Sequence, residues 1–366
     1  QEQLFLCVAN PPAAPRAMKL PAALFCGARG YSARVDAYPK EPVIGFTNAP
    51  PHTSSFVLAF NPTYVEMSPG TGNADGLLVR VQNCSSPAGE CRACPPTAED
   101  PSRIAFVHQG CGEPEPCYFP LTDDDVVLGP NSTADALGLA DPRIVYHNGT
   151  YYMTYLAIDG TGATELQLAT SPDPTGASHW TRLGSVFGSA KNATSGSILP
   201  SAEGKHVMLV SGAGDTRITA ASSSDLHRWV HHDDKVVLEP RSTGFDAGRV
   251  EAGPSPMVLT DGNYVLFYNA AEEKDGVLSD VGYAVLSGAD PTKVLFRGSA
   301  PLISASDRAW TAGGPGYVCS DQGAVKLDGG VAIPAEANAF RLYFGAGGAY
   351  VGTVKVVVEV PAPVVV

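Results

Sequence analysis

Long apolar runs are missing from this 366-residue chain. No stretch reaches the roughly 18 apolar residues of a membrane-spanning helix, and the C-terminal VKVVVEVPAPVVV is short and broken by charge and proline. A basic surplus is missing too. The 24 Lys and Arg against 37 Asp and Glu leave a formal charge of −13, which speaks against nucleic acid and against insertion into or adhesion to anionic membranes. Metal-site spacing is absent: no second C-x-x-C or histidine pair completes Cys91-Arg-Ala-Cys94, which reads more readily as disulfide stapling of a loop. Asp123-Asp124-Asp125 lacks the alternating ligands of a calcium loop and reads as a solvated loop. Neither a metal nor a cofactor is expected.

What the chain has is turns. Its 39 Gly and 31 Pro are scattered between apolar runs, the pattern of a turn-rich fold rather than a disordered one. The length suits two ordinary domains or one large all-β domain. One hairpin grammar recurs: NGTYYMTY (148–155) is echoed by DGLLVRV (75–81), EGKHVMLV (203–210) and DGNYVLFY (261–268), with Gly76, Gly149, Gly204 and Gly262 as turn glycines. A turnless fifth version, FRLYFGAG, begins at Phe340. Second strands follow as LQLATS, ITAASS, VGYAVLS and VGTVKVVV, and two units add a third, HRWVHHDDKVVL and ADPTKVLFRG. Units of about 50 residues with about four strands each are propeller blades. The sequence therefore predicts an all-β, five-bladed β-propeller over 51–360, with an N-terminal extension (1–50) packing on it and a tail at 361–366. A disulfide-rich insertion, 82–120, is expected in the first blade. A β-sandwich with similar hairpins is the alternative, but it does not account for the repeated grammar.

Sequons at Asn83, Asn131, Asn148 and Asn192 point to N-glycosylation and the secretory route. The eight cysteines, Cys7, Cys26, Cys84, Cys91, Cys94, Cys111, Cys117 and Cys319, form an even set suited to disulfides in an oxidising compartment. Cys7 can pair with Cys26 and Cys319 can reach the central cluster, although spacing leaves the connectivity open. With no leader before Gln1, the expectation is a mature, secreted chain.

Chemistry is expected where inner strands meet the channel of the propeller. In LADPRIVYHNGTYYMTYLA, Asp141 precedes a strand, Pro142 keeps it out of helical space, and Arg143 projects from the same strand face. From pattern alone, a turn cap and a channel acid both fit Asp141. Tyr146, Tyr151 and Tyr155 read as core, Trp180 and Trp229 as blade packing, and His231-His232 as surface.

The ordered segments FNPTYVEM, GLLVRV, ADPRIVYHNGTYYMTY, SGSILP, DAGRVEAGPSPMVLTDGNYVLFYNA, VGYAVLSGADPTKVLFRGSAPLIS and RLYFGAGGAYVGTVKV resemble the blades of glycoside hydrolase family 130, the β-mannoside phosphorylases and β-mannosidases. The likeness runs from about Phe60 to Val358. It implies a general acid at Asp141, matching the Asp of a Glu-Asp-Pro-Arg motif whose Glu is here Ala140. It also implies sugar contacts at Asn61, Arg80 and Arg143, with Asp321 in a loop near the channel and Trp310 able to stack on a sugar. Family phosphorylases carry Lys-Asp before the third-blade strand and His-Arg at its end. This chain has Lys191-Asn192 and Ser211-Gly212 there, which disfavours holding a phosphate dianion. Glu251, in RVEAGP, stands where those phosphorylases have Gly, and is the expected base for an activated water. Pairing with Arg249 or Arg241 at the surface is its bland alternative; Asp246 and Asp321 are weaker candidates for the base.

The reading is an inverting glycosidase of β-mannosides or related β-linked oligosaccharides. Its rivals are a phosphorylase and a non-catalytic glycan-binding or matrix propeller, with an extracellular protein partner on the cysteine-rich insertion.

Overall fold

The hairpin grammar resolves into five radial sheets. In the computed structural model the described residues are 30–45, 56, 58–67, 75–83, 96–188, 193–212, 214–308, 311, 324–347 and 349–362. Cys7, Cys26, Cys84, Cys91, Cys94, Cys319, Lys191, Asn192, Trp310 and Asp321 lie outside them.

An N-terminal strand, β1 (Ser32–Ala37), comes first in the chain. Blade 1 is β2 (Leu58–Val65), β3 (Gly76–Gln82) and β4 (Arg103–Cys111), with short β5 (Cys117–Tyr118) and β6 (Val126–Leu128) both on β4. Blade 2 runs β7 (Gly138–His147), β8 (Thr150–Ile158), β9 (Thr164–Ser171) and β10 (Thr181–Ser185). Blade 3 runs β11 (Ala193–Leu199), β12 (His206–Gly212), β13 (Ile218–Ser223) and β14 (Val230–Leu238). Blade 4 has β15 (Arg249–Ala252), β16 (Met257–Val258), β17 (Tyr264–Ala271), β18 (Asp280–Leu286), β19 (Val294–Arg297) and β20 (Ile303–Ser304). Blade 5 is β21 (Val325–Ala332), β22 (Ala339–Ala346) and β23 (Tyr350–Glu359), and β1 pairs antiparallel with β23 as its outer strand. The first strand among the described residues therefore closes onto the last blade. This covers the exposed edge of β23.

There is no single central core. Apolar side chains collect in five seams, one between each pair of neighbouring blades. Strand alternation explains this: on β3, Leu77, Val79 and Val81 face blade 5, while Leu78 faces blade 2. On β8, Tyr151, Met153 and Tyr155 join the seam with blade 1, while Tyr152 and Leu156 join that with blade 3. A middle strand buried on both faces reads as a continuous apolar run. Burying each such side chain stabilises by about 1.5–3 kcal/mol.

Several details depart from expectation. Gly149, Gly204 and Gly262 do take positive φ in turns, but Gly76 does not; it opens β3, where a Cβ would meet the Val107 carbonyl oxygen at 2.4 Å. The 82–120 stretch is not all insertion, because β4 lies inside it and buries Ile104, Ala105, Phe106 and Val107 in the seams. Cys111 and Cys117 form a disulfide at the end of that strand. Tyr146 is not core: it is 44% exposed near the hairpin end of β7, tilted against buried Tyr151. His231 is not a surface residue but half-buried, bonded through Nε2 to Thr219 Oγ1 across the sheet and paired through Nδ1 with Asp233. Trp180 and Trp229 are buried in seams, their indole N–H groups donating to the carbonyls of Pro174 and Leu226.

Candidate active site

The inner strands break step on the channel side. The register of β7 shifts between Ala140 and Arg143, placing Asp141 in a bulge at φ +51°. The same event recurs in blade 1, where β2 shifts between Phe60 and Thr63 and Asn61 sits at φ +48°. Ala-Asp-Pro-Arg and Phe-Asn-Pro-Thr are thus one device repeated. Asp and Asn tolerate left-handed backbone better than other side-chain-bearing residues, and the following proline disfavours the right-handed helical alternative. Blade 5 shifts register between Leu327 and Gly329, around Asp328, and blade 3 between Ala193 and Ser195. Such bulges turn a side chain out of the sheet and commonly flank active sites. Gly329 and Gly345 leave room for the blade-1 bulge: a Cβ on either would come within 3 Å of backbone at Pro62 or Asn61.

Six charged side chains converge where these strands meet. Lys326 Nζ lies 2.6 Å from Asp141 Oδ2 and 2.8 Å from Glu251 Oε1, bridging blades 2, 4 and 5. End to end, those two contacts limit the facing carboxylate oxygens to a separation of about 5.4 Å. Arg143 is buried, with four of its five N–H donors engaged. Its Nη2 meets Asp328 Oδ1 at 2.7 Å and the Ala252 carbonyl at 3.0 Å, Nε donates to the Gly253 carbonyl at 3.0 Å, and Nη1 reaches the Asp141 carbonyl at 3.4 Å. Glu251 Oε1 lies 3.6 Å from the same Nη2. Asn61 donates Nδ2–H to Asp328 Oδ2 at 3.0 Å. Arg80 stacks its guanidinium 4.5 Å above the Phe60 ring, and its buried Nε has no partner among the described residues.

The backbone under this cluster is pinned by neutral side chains. Asn269 of β17 clamps Leu327, accepting its N–H at 2.6 Å and donating to its carbonyl at 2.9 Å, so the flanking Lys326 and Asp328 are fixed from blade 4. Ser211 Oγ accepts the Ala252 N–H at 3.0 Å, and Ser197 Oγ donates to the Gly253 carbonyl at 2.5 Å. Among the described residues, blade 3 therefore supplies hydroxyls to the segment that carries Glu251. A Cβ on Gly253 would lie 2.5 Å from the Phe267 carbonyl oxygen, so the chain cannot pass there with a larger residue.

Burial works to raise the Asp141 carboxyl, but Lys326, Arg143 and Arg80 outweigh it and hold it below the usual carboxylate range. At Asp328 burial wins, pushing the carboxyl up to about 6 against the pull of Arg143 and Lys326. The Lys326 ammonium would be weakened by burial, yet Asp141, Glu251 and Asp328 raise it above its ordinary value. Burial brings Arg80 down to about 10, with Asp141 acting in the opposite sense.

Of the residues expected from sequence, Asn61, Arg80, Asp141, Arg143 and Glu251 come together here. Glu251 pairs with Lys326, not with Arg249 or Arg241. Asp246 lies elsewhere: it is buried within blade 4, held by Arg241 at 2.9 Å, Arg297 at 2.6 Å and the Tyr268 hydroxyl at 2.7 Å. Lys326, Asp328 and Asn269 escaped sequence reasoning. The signal was present in AVKLDGGVAI, where a lysine and an aspartate two apart share one face of an otherwise apolar strand.

The family model for glycoside hydrolase family 130, described as β-1,4-mannooligosaccharide phosphorylase, matches residues 115–333, more than half of the chain. The chain belongs to this family. Membership in glycoside hydrolase family 130 makes it a glycan-active enzyme. A 1,2-β-oligomannan phosphorylase from Thermoanaerobacter sp. (strain X514) is 32% identical over 210 residues, 56% of this chain and 67% of that relative. A β-1,2-mannobiose phosphorylase from Listeria innocua serovar 6a is 28% identical over 191 residues, 51% of this chain, and the match spans only half of that relative's length. The solved Listeria innocua β-1,2-mannobiose phosphorylase in complex with β-1,2-mannobiose superposes with a TM-score of 0.68 at 20% identity, covering 88% of this chain and 96% of the other. That likeness is one of fold.

Proposed function

We propose that the chain hydrolyses β-mannosides by a single displacement, with Asp141 as general acid and Glu251 as general base. The observation that carries this reading is the convergence of Asp141 and Glu251, from different blades, on one ammonium. Asp141 protonates the glycosidic oxygen as the bond to the anomeric carbon breaks. Water attacks that carbon from the opposite face and gives its proton to Glu251. Asn61, Arg80 and Arg143 orient the sugar, with Asp328 holding two of the three in place.

The named relatives are phosphorylases, and at one wall of the channel this chain lacks the His-Arg pair that the family resemblance gives for phosphorylases. Ser211 is occupied with the Ala252 N–H, so this position offers no cation to a phosphate. Three carboxylates already balance Arg80, Arg143 and Lys326. Phosphorolysis is the second reading, favoured by the unpartnered Arg80 Nε. The deciding experiment incubates β-1,2- and β-1,4-mannobiose with and without inorganic phosphate. Free mannose as sole product, at a rate indifferent to phosphate, supports hydrolysis; mannose 1-phosphate formed only with phosphate sinks it. Binding without turnover on either substrate, beside a wild-type-like D141N, would make the chain a glycan-binding module.

The same proposal places the chain on the secretory route. Asn131 and Asn148 are exposed, the latter in the β7–β8 turn at the opposite end of the strand from Asp141, and Cys111–Cys117 is oxidised. A glycan at Asn148 would leave the channel end of blade 2 clear. A mass loss on endoglycosidase treatment, made smaller by N131Q and by N148Q, tests their use.

A further inference from the structure

The two carboxylates of the proposed pair share a cation that the reaction has no place for. Lys326 Nζ sits between Asp141 and Glu251, and its side chain keeps 21% of its surface exposed while both acids are nearly covered. Separations of about 6.5–9.5 Å between carboxyl groups leave room for the sugar carbon and the water of an inverting displacement. Here the ammonium itself fills the gap between the two facing oxygens, which lie no more than about 5.4 Å apart, so that gap is blocked while it remains.

We propose that Lys326 is the positioning residue of this site: it bridges Asp141 and Glu251 in the free enzyme, and an entering glycoside moves its ammonium off Asp141 onto Glu251 alone. The proposal rests on the assignment of Asp141 as acid and Glu251 as base. Every charged group facing the ammonium fits the transfer. Glu251 on β15 remains as its partner, and Asp328 lies two residues away on its own strand. Arg143 on β7 is tied to Asp328 and two carbonyls and cannot follow it. Arg80 on β3 adds positive charge beside Asp141. Once Lys326 leaves, Asp141 loses the strongest of the cations that keep it ionised and takes a proton from solvent, which it then donates to the leaving oxygen. Lys326 stays beside Glu251 while water delivers its proton to that carboxylate. After product leaves, Glu251 releases that proton to solvent and the bridge re-forms, so protons balance over the cycle.

The test is the pH profile of kcat/KM for wild type, K326M and K326R, with D141N as control. Removing the charge in K326M should move the limbs of the profile to higher pH by about one unit, the scale of a single nearby charge. K326R should return them towards wild type while lowering kcat. Limbs unmoved in K326M overturn the proposal, as does complete loss of turnover in both variants at wild-type melting temperature, because a positioning charge acts without touching the scissile bond. If K326M does not fold, K326Q replaces it with the same expectation. D141N separates the failures: full activity in D141N removes the acid assignment itself, whereas inactive D141N beside unmoved K326M limbs removes only the role of Lys326.

Discussion

Arg143 and Asp328 meet at 2.7 Å across the channel, tying the inner strand of blade 2 to that of blade 5. Neither is accessible to solvent in any useful degree, so truncating one strands the other. D328A is expected to cost about 3–5 kcal/mol of stability, the usual price of an orphaned buried charge. D328N, which keeps the shape and can still accept from Arg143, should cost less but raise KM, since its amide nitrogen cannot accept from Asn61. Denaturant unfolding and Michaelis kinetics on the two variants check both halves.

Glu251 should be replaceable by a nucleophile that needs no base. E251Q is expected to lose about 100- to 10,000-fold in kcat. Added azide should then restore cleavage and yield a glycosyl azide of configuration opposite to the substrate's. Folded, inactive E251Q that azide does not rescue would remove Glu251 from the role of base.

The low Asp141 value has a thermodynamic consequence. Its carboxyl is held below the unfolded value, so the unfolded chain binds more protons in that window and stability rises with pH there. The contribution is present above the unfolded pKa of about 3.9 and is lost as pH falls through the folded value. D141N should therefore lose less stability than wild type on acidification below about pH 4. Asp328 works with the opposite sign: its carboxyl is raised to about 6, so its contribution is full below the unfolded value and fades as pH rises through about 6. Urea unfolding of D141N, D328N and wild type across this range distinguishes the two; parallel curves for D141N and wild type would contradict the first expectation.

Asp246 is the structural counterpart. With Arg241, Arg297 and Tyr268 all directed at one buried carboxylate, D246A should destabilise by about 3 kcal/mol or more while leaving kcat of the folded fraction unchanged. A fall in kcat without loss of stability would return Asp246 to the candidate site.

The five-blade organisation was legible because each blade buries both faces of its middle strand, and that requirement writes the same apolar hairpin into the sequence each time. The repeats put Asp141 at the start of an inner strand; its reading as acid, and the choice of Glu251 as base, came from the family resemblance. Lys326 and Asp328 were not legible, because β21 lacks the turn glycine and aromatic pair that mark the other hairpins; the fifth echo is visible only from Phe340 onward.

The chain alone determined that turns and apolar strands would repeat, that an N-terminal extension would pack on the propeller, and that Asp141, held out of helical space by Pro142, would stand ahead of an inner strand. Those are local consequences of backbone sterics and strand alternation. Which charges face each other was decided only by ring closure. Asp141, Glu251 and Lys326 are separated by 110 and 75 residues in sequence, and no local rule brings them together. They meet because five twisted sheets pack around one axis, where four of the inner strands shift register and the charges of blades 2, 4 and 5 pair with one another.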